Sequence, residues 1–218
     1  MNTKSLLGRV AKAFTIITLL ATAGIASAAI ELKEGVNYKV LQPAQPTNVA
    51  AGKVEVVEVF WYACGHCFLI EPSLENWARK EKPANVELVR VPAMWNDLLK
   101  THARVFYTAE LLGKLPALHG EIYREINVRG NRLDTPAKIE AFFTSKGVSK
   151  QDFQKAFSSF AVETKLARAA DLNKRYRITS TPTVVVNGRY VTDVQMAGSE
   201  AALFNVVNDL AARETPAG

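Results

Sequence analysis

Cysteine is scarce in this sequence, and its scarcity excludes several classes of protein. The 218 residues include 2 Cys and 3 His. Two cysteines cannot form the disulfide framework on which small secreted domains depend, and a chain this long can bury a sizeable core without one. A closed structural zinc site needs about four ligands, and no second cysteine pair exists to supply them. We therefore expect no bound metal.

Neither sign of charge is in large excess. The sequence has 27 Lys and Arg against 21 Asp and Glu, a formal charge of +6. Three basic and no acidic residues lie within residues 1–28, so the charge of the remainder falls to +3. This balance predicts no nucleic-acid binding.

Long apolar runs are confined to the amino terminus. Three basic residues precede the run Ala13 to Ile25, which ends in the small-residue pattern Ala26-Ser27-Ala28. The pattern predicts a secretory signal peptide over residues 1–28, cleaved at its end. A transmembrane anchor is the alternative, but the run is short for a bilayer span.

A strand, helix and strand surround the two cysteines. Val54 to Trp61 and Val86 to Val91 are dense apolar runs typical of buried strands, and Cys67 to Trp77 has helical spacing between them. This βαβ unit places Cys64 where a helix begins, beyond the carboxyl end of a parallel strand.

The middle of the chain changes character. Residues 97–170 have helical periodicity and almost no β-branched runs, which predicts an all-helical insertion into a domain formed by residues 29–96 and 171–218. In the second part, Asn187-Gly188 between two apolar runs predicts a hairpin with a type I′ turn and a second strand starting at Arg189. The sheet is therefore predicted to be mixed.

The sequence Cys64-Gly65-His66-Cys67 at a helix start is typical of a redox-active pair. One helical turn brings the two sulfurs within bonding distance, and the free N–H groups and helix dipole stabilise a thiolate on Cys64. We predict that Cys64 is the nucleophile and Cys67 the resolving thiol, with His66 adding positive charge or a hydrogen bond. A stabilised thiolate favours the reduced form, so the protein should donate its disulfide.

Three other uses of the cysteine pair compete with a redox role. One alternative is a purely structural disulfide, although closing a two-residue loop removes little chain entropy. Zinc would need ligands from His66, His102 and His119. Haem attachment is excluded because Phe68, not histidine, follows Cys67.

Several motifs occur together in this chain: Phe60 to Cys67 directly after a strand, a helical insertion, Thr181-Pro182-Thr183 before Val184 to Gly188, and an export signal. Together they resemble the DsbA family of the thioredoxin superfamily, over nearly all of the chain after the signal. The resemblance implies an α/β fold, a thioredoxin-like mixed sheet with an all-helical insertion. It also implies a periplasmic dithiol oxidase that donates its Cys64–Cys67 disulfide to reduced, unfolded exported polypeptides.

The resemblance further assigns a substrate-binding loop. Pro182 is expected to be a cis-proline facing the active-site disulfide, and Thr181 and Gly65 are expected to contact the substrate. Two residues depart from many family members, which carry Pro-His where this chain has Gly65-His66 and Val where it has Thr181. Gly-His is also the dipeptide of eukaryotic protein disulfide isomerases.

Two acids match family positions beneath the active site. They are Glu58, in the apolar central strand, and Glu71, four residues after Cys67. Burying a carboxylate is costly unless it is paired or protonated, so we hypothesise that Glu58, with Glu71, handles the proton leaving Cys67. The alternative is that both face solvent or pair with lysines.

The resemblance implies reoxidation by a quinone-linked membrane oxidase of the DsbB type, no bound cofactor, and a monomer. One rival function is a disulfide isomerase or reductase like DsbC or DsbG. Those proteins dimerise through an extra amino-terminal domain, whereas about 25 residues separate the predicted cleavage point from Val54. A second rival is a holdase or binding module in which the cysteines are incidental.

Overall fold

A five-stranded mixed sheet organises residues 31–214, the part of the chain that the computed structural model describes. Its strand order is β1-β5-β4-β2-β3, in which β2 and β3 are parallel and the other three neighbouring pairs are antiparallel. The predicted mixed sheet is thus confirmed. The strands are β1 (Lys39–Val40), β2 (Val54–Phe60), β3 (Val86–Pro92), β4 (Thr183–Val186) and β5 (Tyr190–Thr192).

Eight helices are found among the described residues. One hydrophobic cluster lies between the sheet and α2 to α6, and a second lies between the sheet and α1 and α8. The helices are α1 (Gly65–Lys80), α2 (Asp97–Leu111), α3 (Leu115–Asn127), α4 (Pro136–Ser145), α5 (Lys150–Phe157), α6 (Phe160–Arg175), α7 (Val194–Ala197) and α8 (Glu200–Glu214).

The five helices α2 to α6 occupy the chain between β3 and β4. The division into residues 29–96 with 171–218 and an insertion of residues 97–170 stays a prediction. The predicted signal peptide, residues 1–28, lies outside the described residues. Within residues 31–214, no helix is both long enough and apolar enough to cross a bilayer.

Strand β2 is the centre of the sheet and leads directly to the cysteine pair. All seven of its residues are buried. Val57 and Val59 belong to the cluster under α2 to α6, and Val54 and Val56 belong to the cluster under α1 and α8. Because side chains alternate along a strand, the carboxyl group of Glu58 faces α1 from inside the core.

The β4–β5 hairpin turns where the sequence predicts, with a difference of one residue. Asn187-Gly188 has φ angles of 50° and 63°, the left-handed values that the predicted turn requires. Val186 pairs with Tyr190, so β5 begins one residue later than predicted. Arg189 belongs to the turn, since its N–H donates to the carbonyl of Val186 at 3.0 Å while its carbonyl accepts the N–H of Leu41 at 2.7 Å.

Gly188→Ala should destabilise the protein far more than a matched glycine substitution. A Cβ at Gly188 would overlap the carbonyl group of Gln45, in addition to straining a positive φ. Gly113 has a similar φ of 66° and no atom near the position of a Cβ, so it isolates the strain alone. We expect losses of about 1 kcal/mol for Gly113→Ala and about 3 kcal/mol for Gly188→Ala in urea unfolding. Equal losses would show that the Gln45 contact is unimportant.

Candidate active site

Cys64 lies at the junction between the central strand and the first helix. It is the N-cap residue of α1, with extended backbone angles (φ −84°, ψ 112°), and its sulfur accepts the N–H of Cys67 at 3.3 Å. The Cys64 side chain is partly exposed, whereas Cys67 is fully buried, and both are free thiols in the structure. The first cysteine is therefore accessible and the second is shielded.

The two thiols differ sharply in acidity. A hydrogen bond with Cys67, and backbone N–H groups of Cys67 and His66, lower the pKa of Cys64 to about 5, although partial burial opposes them. Burial, followed by the interaction with Cys64, raises the pKa of Cys67 well above its usual range. At neutral pH these shifts favour a thiolate at Cys64 and a thiol at Cys67, in line with the prediction from the helix start.

The loop before β4 faces this thiolate. The sulfur of Cys64 lies 3.4 Å from the carbonyl oxygen of Thr181, a residue 117 positions away in sequence. The Thr181–Pro182 peptide bond is cis, which confirms the expectation drawn from the family resemblance. The two parts of the predicted site are thus brought together by the fold.

A groove of about 440 Å³ runs beside the cysteine pair. Its lining includes His66 and Leu69 from α1, Thr181 and Pro182 from the cis-proline loop, and Val194 from α7. Leu69 is 68% exposed, an unusual state for a large apolar side chain. The groove therefore offers apolar surface directly next to the reactive sulfur.

His66 acts on the thiolate through its backbone. Its N–H is among the groups that lower the pKa of Cys64, while its side chain is exposed and lines the groove. The structure describes no hydrogen bond from the imidazole to the sulfur of Cys64. Gly65 is also exposed, at the first position of α1.

The predicted acids meet in the core beneath the cysteines, around a cation that sequence reasoning missed. Arg90 Nε lies 3.2 Å from Glu58, and Arg90 Nη2 lies 3.0 Å from Glu71 and 2.6 Å from the more exposed Glu75. Glu58 and Glu71 are 1% and 7% exposed, so the alternative that they face solvent or pair with lysines is wrong. We call Glu58, Glu71 and Arg90 the acid cluster.

Burial makes both carboxyl groups of the acid cluster weak acids. It is the largest effect on Glu58, whose pKa rises to about 8 with a further contribution from the charge of Glu71, against the opposing effect of Arg90. The pKa of Glu71 rises to about 7, again chiefly through burial. The charge of Glu58 in turn raises the pKa of Cys67. The cluster can therefore hold a proton close to neutral pH.

Helix α3 supplies further contacts that the sequence did not predict. Asn127 Nδ2 donates to the carbonyl oxygens of Tyr62, at 2.7 Å, and Tyr123, at 2.9 Å. The Tyr62 hydroxyl lies 2.8 Å from Nδ1 of His119. These contacts hold the segment before Cys64 against the helical region. No spacing in the sequence could have identified them, because 57 residues separate Tyr62 from His119.

Within residues 31–214, no group of three or more His, Cys, Asp or Glu side chains is placed to hold a metal ion.

The accessible Cys64 thiolate, the buried Cys67 thiol and the facing cis-proline on this fold define a thiol–disulfide oxidoreductase of the thioredoxin-like class. Residues 85–204 match the family model described as the DSBA-like thioredoxin domain. The chain belongs to the DsbA family of thiol:disulfide interchange proteins.

Individual relatives agree with this assignment. The thiol:disulfide interchange protein DsbA of Pseudomonas syringae pv. tomato is 37% identical over 192 residues, which is 88% of this chain and 89% of that protein. An alignment of this extent necessarily includes the cysteine pair. The crystal structure of DsbA from Pseudomonas aeruginosa aligns with a TM-score of 0.78 and 34% identity, covering 83% of this chain and 93% of that one. DsbA from Xylella fastidiosa aligns at 0.79 and 28% identity, covering 85% and 99%.

Proposed function

We propose that this chain is a periplasmic dithiol oxidase that transfers its Cys64–Cys67 disulfide to reduced, unfolded exported polypeptides. The observation that carries the proposal is the difference in acidity between the two thiols, with the pKa of Cys64 lowered to about 5 and that of Cys67 raised. A low pKa makes Cys64 a good leaving group, so the mixed disulfide between Cys64 and a substrate is readily resolved to give an oxidised substrate.

The transfer has two exchange steps. A substrate thiolate attacks the sulfur of Cys64 in the disulfide, which breaks the S–S bond and releases Cys67 as a thiolate that takes up a proton. A second substrate thiolate then attacks the substrate sulfur of the mixed disulfide and releases the Cys64 thiolate. The substrate leaves oxidised by two electrons, and the Cys64–Cys67 pair is left reduced.

In this proposal the acid cluster serves the first step. Cys67 is fully buried, so its thiolate needs a proton from a buried donor. Glu58 is suited to donate it, because its raised pKa keeps a proton on the carboxyl group at neutral pH. Glu71 and Arg90 lie in contact and adjust the charge of the cluster.

Substrate binding is assigned to the loop and groove beside Cys64. The backbone of Thr181, Pro182 and exposed Gly65 border the reactive sulfur, and exposed Leu69 supplies apolar surface. An extended, unfolded segment presents both backbone hydrogen-bonding groups and apolar side chains, which such a surface can bind. His66 is assigned to the same rim, where it stabilises the Cys64 thiolate through its N–H.

The proposed location and reoxidation are supported by the sequence and the family. The signal pattern in residues 1–28 supports export, and an oxidising compartment suits a protein that donates disulfides. The reduced pair must pass two electrons to an acceptor, and we assign this to a quinone-linked membrane oxidase of the DsbB type. The proposal includes a monomer with no cofactor, no metal and no nucleic-acid partner.

The redox state of the pair in living cells separates this proposal from an isomerase or reductase of the DsbC or DsbG type. Cells are quenched with acid, and free thiols are alkylated with a reagent that changes electrophoretic mobility. A donor should be recovered mainly with Cys64 and Cys67 oxidised, and dithiothreitol-treated cells provide the reduced reference. Recovery of the pair mainly as thiols would favour the isomerase.

A further inference from the structure

His119 is a buried histidine that the exchange mechanism leaves without a task. It is 5% exposed on α3 and packs against aromatic rings, with the ring of Phe60 5.3 Å away. Its Nδ1 lies 2.8 Å from the Tyr62 hydroxyl, and its Nε2 lies 3.4 Å from Oε1 of Glu71. The imidazole therefore joins Tyr62, just before the cysteine pair, to the acid cluster beneath it.

The neighbours of His119 fix which of its nitrogens carries the proton. Burial, together with the positive charge of Arg90, lowers the pKa of His119 to about 3, so the ring is neutral with a single N–H. A lone pair on Nε2 directed at the carboxylate of Glu71 would be repulsive, which favours the proton on Nε2. Nδ1 then accepts the hydroxyl proton of Tyr62, whose own pKa is raised well above its usual range by burial.

The contact with Glu71 matters most to the imidazole. Oε1 of Glu71 also accepts from Arg90 Nη2 at 3.0 Å, whereas Nε2 of His119 has Glu71 as its nearest polar contact among residues 31–214. At 3.4 Å the two atoms are in charge contact without a formed hydrogen bond, and Nε2 of His119 has no hydrogen-bond partner within residues 31–214. A buried donor without an acceptor is costly, so the imidazole N–H depends on the charge of Glu71. Reciprocally, the N–H stabilises the ionised form of Glu71.

Other charged and titratable groups act on His119 from each element around it. They are Tyr62 in the loop that follows β2, Glu71 and Glu75 on α1, Arg90 on β3 and Tyr123 on α3. Glu58 on β2 is linked to this group through Glu71 and Arg90. Among the carboxyl groups of residues 31–214, only Glu71 contacts the imidazole, whereas the charge of Glu58 acts on Cys67. An interaction with His119 therefore distinguishes the two acids.

We propose that His119 is a positioning residue that holds Glu71 as the ionised member of the buried pair, so that the shared proton resides on Glu58, the group that acts on Cys67. This deepens the proposed function, since it rests on Cys67 being the resolving thiol. Tyr62 has a supporting part, because its hydroxyl donates to Nδ1 and so satisfies the nitrogen that carries no proton.

The first test uses the unmodified protein. Nitrogen-15 NMR of the full chain, labelled at histidine, reads the tautomer of each imidazole directly. We expect a neutral His119 protonated on Nε2 throughout the pH range in which the acid cluster titrates. Protonation on Nδ1 would overturn the proposal, whatever the behaviour of variants.

The second test measures the carboxyl groups by infrared titration of the reduced protein, with Glu58→Gln and Glu71→Gln assigning the two bands. In the wild type Glu71 should ionise before Glu58 as the pH rises. His119→Asn and His119→Phe lack a donor at Nε2 and should raise the proton affinity of Glu71 severalfold. The effect should be smaller than the roughly tenfold change on losing a formed hydrogen bond to a charged group, because the contact is 3.4 Å long and Arg90 remains hydrogen-bonded to Glu71. His119→Gln can place an amide N–H near the Nε2 position and should titrate like the wild type.

His102 provides the matched control. It is a second buried imidazole, 2% exposed, which accepts from Trp61 Nε1 at 2.9 Å and donates to the carbonyl of Arg132 at 2.8 Å. His102→Phe should leave both carboxyl titrations unchanged. The proposal would be overturned if Glu71 titrated as in the wild type in His119→Asn and His119→Phe. It would also be overturned if His119→Gln shifted the titration of Glu71 as much as those two variants do. These tests read the carboxyl titrations and not the oxidase activity. If the titrations shifted as expected but the protein had no oxidase activity, the proposed function alone would be contradicted.

Discussion

Cys64→Ala should reduce disulfide transfer to the uncatalysed level, a loss of at least about a thousandfold. Every exchange step in the proposed cycle makes or breaks a bond to the sulfur of Cys64, and Cys67 cannot substitute because it is fully buried with a raised pKa. The measurement is the oxidation rate of a reduced, unfolded polypeptide with two thiols, in the presence of an added oxidant.

Cys67→Ala is the informative companion to that variant. It keeps the Cys64 thiolate but removes Cys67. When the Cys64 thiolate attacks a disulfide of an oxidised substrate, it forms a mixed disulfide and releases one substrate thiolate; without Cys67 to displace the substrate from Cys64, substrate should accumulate covalently attached to Cys64. The Cys64→Ala protein also distinguishes the holdase alternative from the proposed oxidase. A holdase would suppress aggregation equally well in Cys64→Ala. If that variant kept the protein's main activity, the cysteine pair would be incidental to its function.

The second large effect is on the acidity of the two thiols in the reduced protein. Alkylation of Cys64 by iodoacetamide should follow a titration with a midpoint near pH 5, because the pKa of this thiol is lowered to about 5. Cys67 should stay unreactive up to pH 9, since burial raises its pKa and shields its sulfur. A midpoint above pH 8 for Cys64 would remove the basis of the proposed oxidase.

The same ionisation predicts how redox behaviour depends on pH. Above pH 5 the reduced protein holds one proton rather than two on the pair, so its potential should fall by about 30 mV per pH unit, against about 59 mV per unit below pH 5. The folded pKa of Cys64 lies below the ordinary value of 9.0, so the ionised thiol stabilises the reduced protein fully above pH 9. That stabilisation is lost as the pH falls towards 5. The oxidised protein has no Cys64 thiol to ionise and serves as the control.

The features that could be predicted from the sequence are those set by neighbours along the chain. The apolar run of β2, the helix that starts after Cys64 and the Asn187-Gly188 turn each depend on a few consecutive residues. The acidity of Cys64 belongs to this group, since the N–H groups that stabilise its thiolate lie within the next helical turn.

The features that were missed depend on register and on packing between distant segments. The partnership of Glu58 and Arg90 arises because β2 and β3 pair in a register that sets these two residues side by side. Hydrophobic pattern alone does not define that register from a single sequence. His119 reaches Glu71 only because α3 packs against α1, a tertiary contact that no motif encodes.

The sulfur of Cys64 and the carbonyl of Thr181, which meet at the active site, are made far apart in time. Because they are 117 positions apart, a ribosome needs on the order of ten seconds to synthesise Thr181 after Cys64. The turn that acidifies the thiol is complete early, whereas the loop that borders it arrives near the end of translation. The residues that acidify the sulfur are therefore synthesised well before those that border it.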